Sequence, residues 1–131
     1  MKSWCPITDD LPDSSVWDEP YPVRVLWISM LALKNSQFVV LADSAYKLAR
    51  RANMKEQEVI DALNVLSSPD IRRGEDQKFE GRRIEKVEGG WLILNGEKYR
   101  DLIAHLTRRE YKNKWERDKR AALLPPPPSQ K

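Results

Sequence analysis

Apolar positions along the chain change their period several times, and each change marks an element. From Val23 to Leu33, Val23, Trp27, Met30 and Leu31 fall at helical spacing. Lys34–Asn35–Ser36 follows as a turn, and the β-branched and aromatic run Gln37–Phe38–Val39–Val40 predicts a short strand. Asp43 or Ser44 is placed to cap a second helix whose Ala45, Leu48, Ala49 and Ala52 form one apolar stripe. Asn53 stands where a left-handed residue would end that helix, and Met54 follows as a buried turn residue. A third helix is predicted from Lys55 to Ser67, with Val59, Ile60, Leu63 and Leu66 inward and Pro69 as its stop.

Residues 70–81 are charged and irregular. Arg83 to Glu88 and Trp91 to Asn95 predict two strands, with Gly89–Gly90 as a two-residue hairpin turn. Trp27, Ile84, Trp91 and Leu92 are expected in core or hairpin packing. A last helix is predicted from about Glu97, with Tyr99, Leu102, Ile103 and Leu106 on one face. Beyond Leu106 the aliphatic stripe stops, and only Tyr111 and Trp115 stand among charges. Glu110 with Lys114, and Glu116 with Arg120, are favourable i, i+4 pairs.

The resulting division is an extended arm over 1–20, a folded domain over 21–106, an exposed basic helical extension over 107–120 and a disordered proline-rich tail over 121–131. Trp4 and Trp17 are expected to pin the arm, and Pro125 to Pro128 to stop the helix. The order helix, strand, helix, turn, helix, hairpin, helix defines an α+β, mostly helical class. It is the order of a winged helix-turn-helix with a three-stranded antiparallel sheet and an extended C-terminal helix. The strand at Phe38–Val40 would complete that sheet beside the hairpin.

Charge sharpens the picture. The 131 residues carry a net +3, but Lys2 stands alone against Asp9, Asp10, Asp13, Asp18 and Glu19, so residues 1–20 hold −4 and the rest +7. That excess suits a polyanionic partner. A single cysteine, Cys5, excludes a disulfide framework and a multi-cysteine zinc site. A single histidine, His105, removes most metal and triad chemistry, and it is expected on the surface. No glycine-rich phosphate loop and no convincing carboxylate pair is present. No enzyme, cofactor or metal is expected. No run approaches 18 apolar residues and the N-terminus lacks a signal pattern, so no membrane association is expected.

The segments SSVW (14–17), VLWISMLAL (25–33), LARRA (48–52), EVIDALNVLSSPD (58–70), GRRIE (81–85) and GGWLILN with KYR (89–100) resemble a family of phage and prophage proteins. Their winged-helix domain is similar to the N-terminal domain of phage replication initiators and replisome organisers. The resemblance covers residues 14–100 and rests on the order and spacing of the motifs. It implies a DNA-binding, replication-associated phage protein in the cytoplasm of a bacterial host. The chain departs from the family at KNSQ (34–37), where an acidic residue and a glycine are usual, and at Lys55, where Ser or Thr is usual. The separate replication domain of the larger organisers has no counterpart in this chain.

In helix-turn-helix docking the third helix enters the major groove. Its outward Lys55, Gln57 and Asn64 are the candidate base readers, while Glu56, Glu58 and Asp61 oppose phosphate. Positive charge lies at Arg50 and Arg51, at Arg72, Arg73 and Lys78, and at Arg82, Arg83 and Lys86. Together these predict a phosphate-gripping rim. A second set, Arg108, Arg109, Tyr111, Lys112, Lys114 and Trp115, suits nucleic acid, a second copy of the chain or another replication protein. Two main functions follow. One is DNA binding, with duplex favoured over single strands; the other is a docking or dimerisation module with little DNA affinity. A dimeric transcriptional regulator fits less well, because the third helix is acidic.

Overall fold

The computed structural model describes residues 4–74 and 78–123. Among these residues, four α-helices and one antiparallel sheet make an α+β, mostly helical domain: α1 Tyr21–Leu33, β1 Val39–Leu41, α2 Ala45–Ala52, α3 Glu56–Ser67, β2 Ile84–Val87, β3 Gly90–Ile93 and α4 Gly96–Leu123. Val23, Leu26, Trp27, Met30 and Leu31 are the buried residues of α1. They face Val59, Ala62, Leu63 and Leu66 of α3, with Leu48 and Ala49 of α2 in the same core. Each fully buried Val, Leu or Met among them contributes about 1.5–3 kcal/mol.

Pro20 and Pro22 start α1, where a missing amide hydrogen costs nothing. In α2, Ser44 rather than Asp43 is the cap, accepting from the Lys47 amide at 3.2 Å. Asn53 ends the helix in the left-handed conformation, as the sequence predicts, at φ 55° and ψ 52°. Its turn is closed by the Met54 amide on the Ala49 carbonyl at 2.9 Å. Met54 is half-buried rather than buried. At the start of α3 the Glu58 carboxylate reaches back to the Lys55 amide at 3.1 Å. Ile60, expected inward, is 38% exposed. Ala62 takes the inward place, because Val59, Ala62, Leu63 and Leu66 form the narrower stripe that the helical repeat allows.

The sheet order is β1-β3-β2, with β3 central. Val40 pairs with Trp91, and Lys86 pairs with Trp91 from the other side. Val87 pairs with Gly90, so the turn residues are Glu88 and Gly89, one position earlier than expected. Gly90 belongs to the strand, paired with Leu41 and Val87, and β1 approaches so closely that a Cβ there would lie 2.0 Å from the Val40 carbonyl oxygen. β1 also begins later than expected. Asn35 accepts from the amides of Gln37 and Val39, and Phe38 adopts φ 62°. That left-handed turn drives the Phe38 ring into the core, where it stacks on Tyr99 at 6.2 Å.

The N-terminal segment is not a free extended arm. It forms 3-10 turns at Leu11–Asp13 and Ser15–Asp18 and buries Val16 to 1% exposure. Val16 is thus the anchor; Trp4 is 46% exposed, and Trp17 lies against the Arg24 guanidinium at 5.1 Å. The buried Lys34 holds the start of the segment by donating to the Trp4 carbonyl at 2.7 Å. α4 is one uninterrupted helix across the boundary expected at 106–107, and it includes residues 121–123, assigned by sequence to the non-helical tail. Pro125 to Pro128 lie outside the described residues, as do Lys2, Glu75 and Asp76.

Candidate nucleic-acid interface

The predicted basic rim divides in two when its side chains are followed to their partners. Arg83 is 7% exposed and faces inward. Its Nη2 donates to the hydroxyls of Ser14 and Ser15, each at 3.0 Å, and its guanidinium lies 5.5 Å from the Trp27 ring centroid. Burial, and then the neighbouring Arg73 charge, push its guanidinium down to about 10. Arg83 is therefore a core residue and not a phosphate contact.

Arg72 and Arg73 are similarly committed. Arg72 donates through Nε to Asp70 at 2.9 Å and pairs with Glu19, so two carboxylates already neutralise it. Burial pushes the Arg73 guanidinium down, and its Nη1 donates to the Gly81 carbonyl at 3.0 Å. These contacts tie the N-terminal segment to the loop after α3. Around them lies a groove of 390 Å³ lined by Glu19, Asn64, Asp70 and Arg72, among others, where acid balances base. Lys78 is exposed but sits 3.7 Å from Glu97. Arg82 is half-buried, donates to the Phe79 carbonyl at 3.3 Å and lies 4.0 Å from Glu85.

The other half of the rim remains on the surface. Arg50 and Arg51 are exposed on the last turn of α2. Lys47 is exposed on the same face, because positions i, i+3 and i+4 of a helix are neighbours. Tyr46 flanks it at 56% exposure. Sequence reasoning missed Lys47 and Tyr46, although their spacing from Arg50 was the available signal. Lys47 is paired with Asp43 at 3.0 Å; its hydrogen bond holds the Asp43 carboxyl below its ordinary value. Lys55, at the start of α3, is exposed one turn beyond Arg51. Lys86 extends over the Trp91 ring at 5.2 Å. The hairpin tip reaches the entrance of α2, where the Ala42 amide donates to the Gly89 carbonyl at 3.1 Å.

The outward face of α3 is largely self-satisfied. Gln57 donates through Nε2 to Asp61 at 3.0 Å, which occupies the amide expected to read a base. Glu58 is turned toward α1, where the Tyr21 hydroxyl donates to it at 2.7 Å. That bond and the Lys55 amide hold its carboxyl below its ordinary value. Asn64 is exposed near the end of the helix, beside the groove. The secondary set on α4, Arg108, Arg109, Tyr111, Lys112, Lys114 and Trp115, is exposed throughout.

Among the described residues no group of His, Cys, Asp and Glu is arranged to hold a metal ion, and no helix is long and apolar enough to cross a membrane. Comparison with protein-family models, curated proteins and solved structures finds no match to this chain.

Proposed function

We propose that the chain is a winged-helix protein that binds duplex DNA chiefly through its phosphates. In this reading α2 and α3 are the helix-turn-helix, and the β2–β3 hairpin is the wing. The observation that carries it is the single exposed face of α2 bearing Lys47, Arg50 and Arg51, with Lys55 after the turn. In helix-turn-helix docking the first helix of the motif crosses the DNA backbone, where such a face grips phosphate without reading sequence. Lys86 on the hairpin extends that grip. The self-paired Gln57–Asp61 face supports backbone positioning over base readout.

A role in phage DNA replication, within a bacterial cytoplasm, is the further step the family resemblance of residues 14–100 supports. The acidic Glu56 and Asp61 on α3 favour the second reading, a docking module for a replication partner.

The double variant Arg50→Ala/Arg51→Ala tests the proposal. Duplex affinity is expected to fall, and the slope of log affinity on log salt to shrink by about 1.8, or 0.9 per phosphate lost. Unchanged affinity and slope would assign the contact elsewhere.

A further inference from the structure

The outer half of α4 belongs to no part of the folded core. From Thr107 to Leu123 every residue is exposed except the half-buried Glu116, over about 25 Å of helix. Between 108 and 120 it carries seven bases, Arg108, Arg109, Lys112, Lys114, Arg117, Lys119 and Arg120, against three acids. Tyr111 and Trp115 stand 74% and 56% exposed. Tyr111 is the most exposed aromatic side chain among the described residues, and Trp115 stands one helical turn from it.

Their placement around the helix is informative. Tyr99, Leu102, Ile103 and Leu106 are the half-buried face of α4 nearest the domain. At 3.6 residues per turn, Tyr111 and Trp115 point roughly 150° away from that face. They do not continue the core-packing stripe. Arg108, Lys112 and Lys119 share their side of the helix, giving the spacing i, i+3, i+4, i+7 and i+11. Lys119 already lies 5.0 Å from the Trp115 ring centroid. The outward stripe therefore alternates flat aromatic surface with positive charge.

We propose that this stripe binds single-stranded nucleic acid, with bases stacked on Tyr111 and Trp115 and phosphates beside Arg108, Lys112 and Lys119. It is a second site, separate from the duplex-binding face of α2 and independent of that reading. Rings need bare base faces, which a duplex keeps within its own stack, so the stripe selects an unpaired strand. The two rings are one turn apart, about 6 Å along the helix axis, so one strand can reach both. A second copy of the helix is a poorer occupant, since Arg108, Lys112 and Lys119 would meet their own kind.

The test measures binding of fluorescein-labelled oligothymidylate and oligouridylate, each of about 20 nucleotides, and of a duplex of the same length, to the full chain. Tyr111→Ala/Trp115→Ala is expected to lose at least about fivefold in single-strand affinity for each ring. Its duplex affinity and melting temperature should not change, because neither side chain supports the core. Trp115→Phe should retain most of the binding. Equal loss with both oligonucleotides assigns the site to single strands generally, and loss with oligothymidylate alone assigns it to DNA. Single-strand binding that falls in the Arg50→Ala/Arg51→Ala variant but not in the α4 variant would place the strand on α2 and overturn the proposal. A concentration-dependent dimer abolished by Tyr111→Ala/Trp115→Ala, without single-strand affinity, would overturn it in favour of self-association.

Discussion

The Arg83 guanidinium lies over the indole of Trp27, and this contact converts one member of a basic run into part of the core. Its hydrogen bonds to Ser14 and Ser15 fasten the N-terminal segment across the same spot. Adjacent arginines thus have opposite roles: Arg82 stays near the surface with Glu85 while Arg83 goes under the segment.

Arg83→Ala is expected to lower stability by about 2–3 kcal/mol through the lost charged hydrogen bonds and the lost stacking. Arg82→Ala removes a surface ion pair with Glu85 and a long, exposed hydrogen bond to the Phe79 carbonyl, together worth about 1 kcal/mol or less. Thermal melts of the two single variants check this: Arg83→Ala should fall by several degrees more. Equal, small shifts would mean the Arg83 contacts add nothing.

Acid should loosen the strap that joins the N-terminal segment to the loop after α3. Burial opposes ionisation of Asp70, yet hydrogen bonds from Arg72 and Ser15 outweigh it and hold the carboxyl below its ordinary 3.8. A lowered folded value means that this stabilisation is complete above 3.8 and is lost as pH falls through the folded value. Asp70→Asn should therefore cost about 1 kcal/mol near neutral pH, with the difference from the native chain closing in strong acid. Urea titrations at both pH values measure it. A constant gap would show that the carboxylate charge is not what stabilises the strap.

The two hairpin glycines should respond differently. At Gly90 an alanine Cβ would strike the Val40 carbonyl oxygen, so Gly90→Ala must push β1 from β3, at about 3 kcal/mol. At Gly89 the space is open but φ is +80°, so Gly89→Ala should cost only about 1 kcal/mol of backbone strain. Denaturant midpoints of the two variants rank them, and the reverse order would contradict the register of the sheet.

Elements whose signal is local were legible in the sequence. Asn53 announced the end of α2 by its residue type, and the pair Asp43–Ser44 its start, with Ser44 the one that caps, because caps depend on neighbours three or four positions away. The existence of the first strand, expected at 37–40 and found at 39–41, and of the hairpin, expected over 83–95 and found at 84–93, followed from β-branched content and the glycine pair. The turn was misplaced by one residue because the choice between Gly89 and Gly90 depends on how closely Val40 approaches, a long-range fact. Ile60 was misplaced because a flanking apolar residue scores like a core residue until the neighbouring helices are in position.

The candidate interface was only half legible for the same reason. Nothing local distinguishes Arg83, whose partners are 69 and 68 residues away, from the exposed Arg51. Arg72 likewise meets Glu19 across 53 residues. Lys47, by contrast, shared the visible helical spacing of Arg50 and Arg51.

The most direct test of duplex binding is fluorescence anisotropy with a labelled DNA duplex from about 50 to about 200 mM salt. In the proposed reading, three to five phosphates held by Lys47, Arg50, Arg51, Lys55 and Lys86 predict a slope of log affinity on log salt of about −2.7 to −4.5. No binding at the lowest salt, or affinity that is flat across the series, would contradict the account and leave α2 and α3 as a surface for a protein partner.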